Sequence, residues 1–247
     1  MRSRGPGTGP AARGAQALSV AALLSLHTSS SAAQTIQPVV VEYRQNKVAA
    51  RFELVNDGLR PLDVVLEPQS FDVSDAGEAI YRPLDPRIRL RLSAMSLRIP
   101  PRETRVVFYE ASADSLPAWF VIPCTFSGLP RRSGLEVRVE LPHTVYLVQR
   151  DRLRPEDVAI PNAAYDAVTK VVQVDIENRG PRLGRALEAE VTGHRHREQH
   201  ASFPLLPHGR RRLLVPWNAA LVPTRVIVRF DGFAVERPLP ENVSAQD

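Results

Sequence analysis

The chain has 247 residues, 43% of them apolar and 24% charged, enough to bury the cores of two domains of ~100 residues each. The formal net charge is +5, but Arg2, Arg4 and Arg13 fall in a leader-like start, and beyond residue 33 the balance is 29 basic against 27 acidic side chains. So small a surplus excludes the basic surface of a nucleic-acid binder, and the single cysteine, Cys124, excludes an intramolecular disulfide, so stability must come from packed cores.

Residues 1–33 predict a cleaved signal peptide. Three arginines without an acid precede the apolar run ALSVAALLSL at 17–26, and Ser31-Ala32-Ala33 supplies small residues for cleavage near Ala33. The run is too short for a membrane span, which needs ~20 apolar residues, and no later segment is long and apolar enough. The mature chain is therefore expected to be exported, into the periplasm if the leader is bacterial.

Beyond the leader the 22 prolines leave little room for helices, and period-two alternation is common. Strands are predicted at 39–43, 48–55, 62–68, 87–92, 104–111, 118–124 and 135–148, with turns at Asn56-Asp57-Gly58, Asp75-Ala76-Gly77, Pro100-Pro101 and 131–134. Many short strands at this spacing predict a β-sandwich over 34–150. In RIRLRL (87–92) the arginines form the solvated face of an amphipathic strand. Cys124 sits in WFVIPCTF and reads as a small buried hydrophobe.

Residues 151–158 read as a charged linker broken by Pro155. A second, smaller β domain is expected over 159–240, with strands at 167–178, 185–193, 210–216, 224–230 and 233–237, and 241–247 is a polar tail. The two domains share a repeat. Pro101 and Pro207 each precede an arginine by four positions (Arg105, Arg211) and a second proline by sixteen (Pro117, Pro223). Upstream of each copy a strand ends in an Asn-x-Gly turn, FELVNDG at 52–58 and VDIENRG at 174–180. The fold class is thus all-β, two sandwiches in tandem.

In the first domain a basic residue follows the opening strand. A strand ends in an Asn turn, then come LRIPPRETRVV, LPAWFVI and a long last strand closing on Arg150 (GLEVRVELPHTVYLVQR). In order and spacing these features resemble the N-terminal immunoglobulin-like domain of periplasmic pilus-assembly chaperones, the PapD-like family. The second domain is similar in length, position and strand content. The resemblance implies two immunoglobulin-like sandwiches and no cofactor. Its partners would be a protein client, a fibre or pilin-like subunit lacking one strand, and an outer-membrane usher. In that family the last strand of domain one completes the client's sandwich, a form of β-augmentation. Counting back from Arg150, the donor positions are Val137, Val139 and Leu141, which alternate with Glu136, Arg138 and Glu140. Alternation alone equally fits a strand packing its own core.

The family anchors the client's carboxylate with an arginine on the first strand and a lysine on the last. The candidate anchor residues here are Arg44, Tyr146 and Arg150. Tyr146 takes the lysine position, and a hydroxyl cannot neutralise a carboxylate. Pro142 removes an amide from the donor strand. An exported structural or adhesive module without strand donation stays open as the alternative. His194, His196 and His200 in GHRHREQH have the spacing of ligands, but Arg195 and Arg197 oppose a cation, so a solvated hairpin tip is expected and no metal. No catalytic motif appears, and the chain is not expected to be an enzyme.

Overall fold

The computed structural model describes residues 34–128 and 138–240. The predicted leader (1–33), tail (241–247), loop 131–134 and Val137 lie outside the described residues.

The first half contains eleven described strands: β1 (Gln34–Gln37), β2 (Val40–Tyr43), β3 (Lys47–Asn56), β4 (Leu62–Leu66), β5 (Gln69–Val73), β6 (Ala79–Pro83), β7 (Ile88–Leu92), β8 (Ser96–Ile99), β9 (Thr104–Ala113), β10 (Ala118–Ser127) and β11 (Val139–Leu147). One sheet runs β1-β3-β9-β7. The other runs β2-β11-β10-β4-β8, with the β5–β6 hairpin attached to β10. The first strand changes sheets at Pro38: β1 pairs antiparallel with β3, and β2 pairs parallel with β11. Inward residues of both sheets, among them Phe52, Leu54, Leu66, Ile99, Val107, Phe120, Phe126, Val145 and Leu147, form one dry core.

A short 3₁₀ turn (Pro155–Asp157) leads to β12 (Val158–Asp166), β13 (Val171–Asn178), β14 (Gly184–Ala186), β15 (Glu188–Gly193), β16 (His196–His200), β17 (Phe203–Leu205), β18 (Arg210–Pro216), β19 (Arg225–Phe230) and β20 (Phe233–Pro238). They form sheets β12-β13-β18, β14-β17 and β16-β15-β19-β20 around a second core centred on Val174, Ile176, Leu213, Trp217 and Val228. The segment read as a linker contributes Leu153 and Val158 to this core.

Two expected strands are drawn differently. Over 167–178 only Val171–Asn178 is extended. Asp166 accepts the Val168 and Thr169 amides and folds 166–170 into a turn, leaving Val168 93% exposed. The segment before it, not read as a strand, is β12. The expected strand at 185–193 is split between β14 and β15 at the exposed Leu187. Short edge strands such as β1, β6, β8 and β17 have too few residues for their periodicity to stand out.

The repeat is a shared corner. Asn56 ends β3 fully buried; its Nδ2 donates to the carbonyls of Arg60 (2.8 Å), Ile99 (3.1 Å) and Pro100 (3.0 Å), and its Oδ1 accepts the Gly58 amide. Asn178 ends β13 in the same way, donating to Arg182 (2.6 Å), Leu205 (3.4 Å) and Leu206 (3.0 Å) and accepting from Gly180. After each proline the chain turns through a left-handed residue, Arg102 (φ 61°) or His208 (φ 54°). The strand that follows then pairs in the same register: Val55 opposite Thr104, Glu177 opposite Arg210.

Candidate strand edge and cleft

On β11 the side chains of Leu141, His143, Val145 and Leu147 turn toward the first core, and those of Tyr146 and Val148 face the second sandwich. Val139 and Leu141 are partly buried, and Leu141 packs on its own domain's core.

β10 covers one edge of β11 over its whole length. Among the described residues the other edge is covered only from residue 144 on: Thr144 N–H donates to Val39 (2.8 Å) and Val148 N–H to Tyr43 (2.8 Å). In an antiparallel ladder a residue's N–H and C=O point to the same side, so Glu140 and Pro142, in step with Thr144, present their main chains to the uncovered edge. Pro142 lies opposite Pro123, a pair in which neither residue has an amide to give. The open edge thus offers the Glu140 amide and carbonyl and the Pro142 carbonyl, with a gap in donors at position 142.

Beside this edge lies the joint between the sandwiches. Phe71, Val121, Tyr146 and Val148 of the first pack with Leu183 and Leu206 of the second. Gln149 fastens the exit of the strand, its Nε2 donating to the Leu183 carbonyl (2.9 Å) and its Oε1 accepting the Leu183 amide (3.3 Å). Tyr146 is therefore a core residue of the joint, and burial pushes its phenol up to about 12. Glu42 lies opposite it on β2. Arg185 of the second sandwich meets Glu42 at 2.6 Å and sits 5.7 Å from the Tyr146 ring centre.

The cleft alongside encloses about 300 Å³. Arg44 lines it, and so does Arg152, and the two share one carboxylate, Asp231, at 4.0 and 3.2 Å. Asp151 and the Glu42–Arg185 pair line the cleft as well, so its three arginines are matched by three acids, and Arg44 and Arg152 share theirs through exposed contacts. Arg150 is exposed beyond the end of the strand. The structure thus brings Arg44 to the cleft and places Tyr146 in the wall behind it. Arg152, Arg185 and Asp231 were not singled out in the sequence. Each stands among other charged residues, and only the approach of the two domains brings them together.

His194 sits in the β15–β16 turn with φ 48°. His196 bonds Glu198 (2.8 Å) and meets Trp217 edge-on, and His200 bonds the Ala201 carbonyl (2.8 Å). Cys124 is fully buried, and burial raises its thiol to about 12, so it is held as an unreactive thiol. No helix among the described residues is long and apolar enough to cross a membrane.

No protein-family model matches the chain, and no curated protein matches it. Solved structures do. The crystal structure of the YadV chaperone aligns with a TM-score of 0.50 at 13% identity, over 83% of this chain and 98% of that one. The structure of Salmonella enterica SafA pilin in complex with the SafB chaperone aligns with a TM-score of 0.50 at 9% identity, over 84% and 97%. At these identities the likeness is one of fold. The chain has the all-β, two-sandwich architecture of the pilus-chaperone structures, at a large distance in sequence.

Proposed function

We propose that the protein is a periplasmic chaperone for surface-fibre subunits and works by lending the free edge of β11 to a client. The observation that carries the reading is the change of cover along one strand: β2 hydrogen-bonds β11 from Thr144 to Val148 and stops, and among the described residues the main chain of 139–143 has no strand partner on that side. An unpaired edge is a template for another chain, and a subunit that lacks a strand would gain both a ladder and a filled groove. Val137, Val139 and Leu141 are the proposed donor side chains. The cleft would receive the client's terminal carboxylate on Arg44, with Arg152 supplying the second cation. Arg150, farther along, adds to the field, and Tyr146 backs the site without charge. The Arg44 and Arg152 pairs with Asp231 are exposed, and such pairs are worth under ~1 kcal/mol, so a client carboxylate could take them over.

The test is recovery of a co-expressed fibre subunit on tagged protein. Val139→Asp places a charge in the donated face and is expected to abolish recovery while the free protein keeps its unfolding midpoint; unchanged recovery discards strand donation. Arg44→Ala combined with Arg152→Ala is expected to cut recovery about tenfold or more, as loss of a charge-assisted anchor costs ~1.5–3 kcal/mol.

The packing of Leu141 on its own core and the missing amide at Pro142 favour a second reading, an exported structural or adhesive module that binds without donating a strand. In that case changing Arg131 and Arg132 weakens a partner more than changing Val139.

A further inference from the structure

His143 occupies a place where the alternation of β11 calls for an apolar side chain, between Leu141 and Val145, and it is fully buried. Its Nδ1 lies 2.6 Å from the Pro38 carbonyl. A carbonyl only accepts, so Nδ1 carries the proton and Nε2 is left as an acceptor. The Tyr109 hydroxyl, 3.2 Å away, donates to Nε2, and Tyr43 donates to Tyr109 in turn at 3.4 Å. One uncharged chain of hydrogen bonds therefore joins β2, β9 and β11 to the point where the first strand changes sheets. The next residue, Thr144, makes the first main-chain bond to that crossing, at Val39. His143 and Thr144 together mark where the cover on β11 begins.

The groups that face the imidazole are these. Pro38 presents a carbonyl, and β2 and β9 present the phenols of Tyr43 and Tyr109. β3 presents the ring of Phe52, stacked at 4.5 Å, and β10 places Ile122 opposite. No charged side chain bonds it among the described residues. A second proton would put a cation into this apolar setting and turn Nε2–H against the hydroxyl that now donates to it. Stacking on Phe52 returns ~2 kcal/mol for a desolvated cation, less than the several kcal/mol that burying an uncompensated charge costs.

We propose that His143 is an acid-releasable latch that holds the first strand on β11 and so sets how much of the β11 edge is uncovered. At neutral pH the latch is closed and only 139–143 is open. In acid the imidazole gains its proton by leaving its site, Val39 and β2 detach from β11 while β1 stays paired with β3, and the uncovered edge lengthens to residue 148. Burial lowers the pKa of His143 in the folded chain, in keeping with the same geometry. The sign follows. The closed state is favoured fully above the unfolded-state pKa of ~6.5 and is lost as pH falls below it toward the folded value. The biological use of the latch rests on the strand-edge reading above; its existence does not.

The test uses the free protein, so failure of the latch and failure of client binding are separable. Amide hydrogen exchange is followed for Thr144 and Val148, which donate to β2 and its approach. Their protection should fall as pH drops below ~6.5, by at most about tenfold per pH unit and levelling off where the folded-state ring itself titrates, while buried amides of the second sandwich keep theirs. His143→Asn retains a donor toward Pro38 but cannot titrate, and it should flatten that pH dependence. Because this variant could fail to fold, the nitrogen resonances of His143 in the unaltered protein are titrated as well. An Nδ1–H tautomer whose protonation midpoint falls below ~6.5 supports the latch. A ring that titrates at or above 6.5, or equal loss of protection in both sandwiches, overturns it.

Discussion

The corners at Asn56 and Asn178 are the same device used at two depths. Both asparagines are fully buried, both close a strand, and both hold the main chain of a crossing segment through three carbonyls and one glycine amide. The arginines that follow them in register differ. Arg105, opposite Leu54, reaches solvent and pairs with Glu103 at 3.0 Å. Arg211, opposite Ile176, lies over Phe203, with its Nε and one terminal nitrogen buried and unpaired. The cause is the β5–β6 hairpin of the first sandwich, whose tip seats Asp75 on the Arg212 amide (2.6 Å) and Gly77 against Arg211. One local solution thus ends a free corner in the first half and a docked corner in the second. What separates them lies elsewhere in the chain.

The largest effect should come from the shared device itself. Asn56→Ala and Asn178→Ala each strand three carbonyls in a dry corner, and each should cost about 3 kcal/mol or more in chemical denaturation. If the corners are equivalent the two losses will agree within ~1 kcal/mol. A loss confined to one variant would break the equivalence.

The docked corner makes a smaller prediction. Gly77 has φ 91°, and a Cβ there would coincide with the Arg211 guanidinium. Gly77→Ala must strain the turn and expel the arginine, and should cost roughly 1–3 kcal/mol. The paired change Gly77→Ala with Arg211→Ala should recover part of that loss, because the displaced group is gone and its two buried, unpaired nitrogens go with it. Additive losses would mean that the contact carries no energy.

Much of this comparison was legible beforehand. The Asn-x-Gly turns, the two prolines and their spacing are local, and local chemistry survives translation into structure, down to the left-handed residues after Pro101 and Pro207. The alternation predicted a strand over 135–148, and β11 is extended over Val139–Leu147. The joint was not legible. Tyr146 reads as a weakened anchor until Leu183 and Leu206 are seen packed beside it, and Arg185 finds Glu42 143 positions away in sequence. His143 breaks the apolar alternation visibly, yet only the partners at Pro38 and Tyr109 give it a protonation state.

The smallest effect tests how the two halves are held. Arg185 and Glu42 make an ion pair between them, at 2.6 Å, with side chains 27% and 38% exposed. A pair so placed is partly screened and is worth under ~1 kcal/mol, whereas the apolar joint of Phe71, Val121, Tyr146, Val148, Leu183 and Leu206 scales with buried area. Arg185→Ala should therefore lower stability by ~0.5 kcal/mol in dilute buffer. It should have no measurable effect in 1 M salt, where charges are screened within ~3 Å. Leu206→Ala should cost more than Arg185→Ala and keep its cost in salt, since removing apolar contact does not depend on screening. If instead the arginine variant were the more damaging of the two at high salt, the halves would be joined by the Glu42–Arg185–Tyr146 cluster, and the apolar packing around it would be secondary.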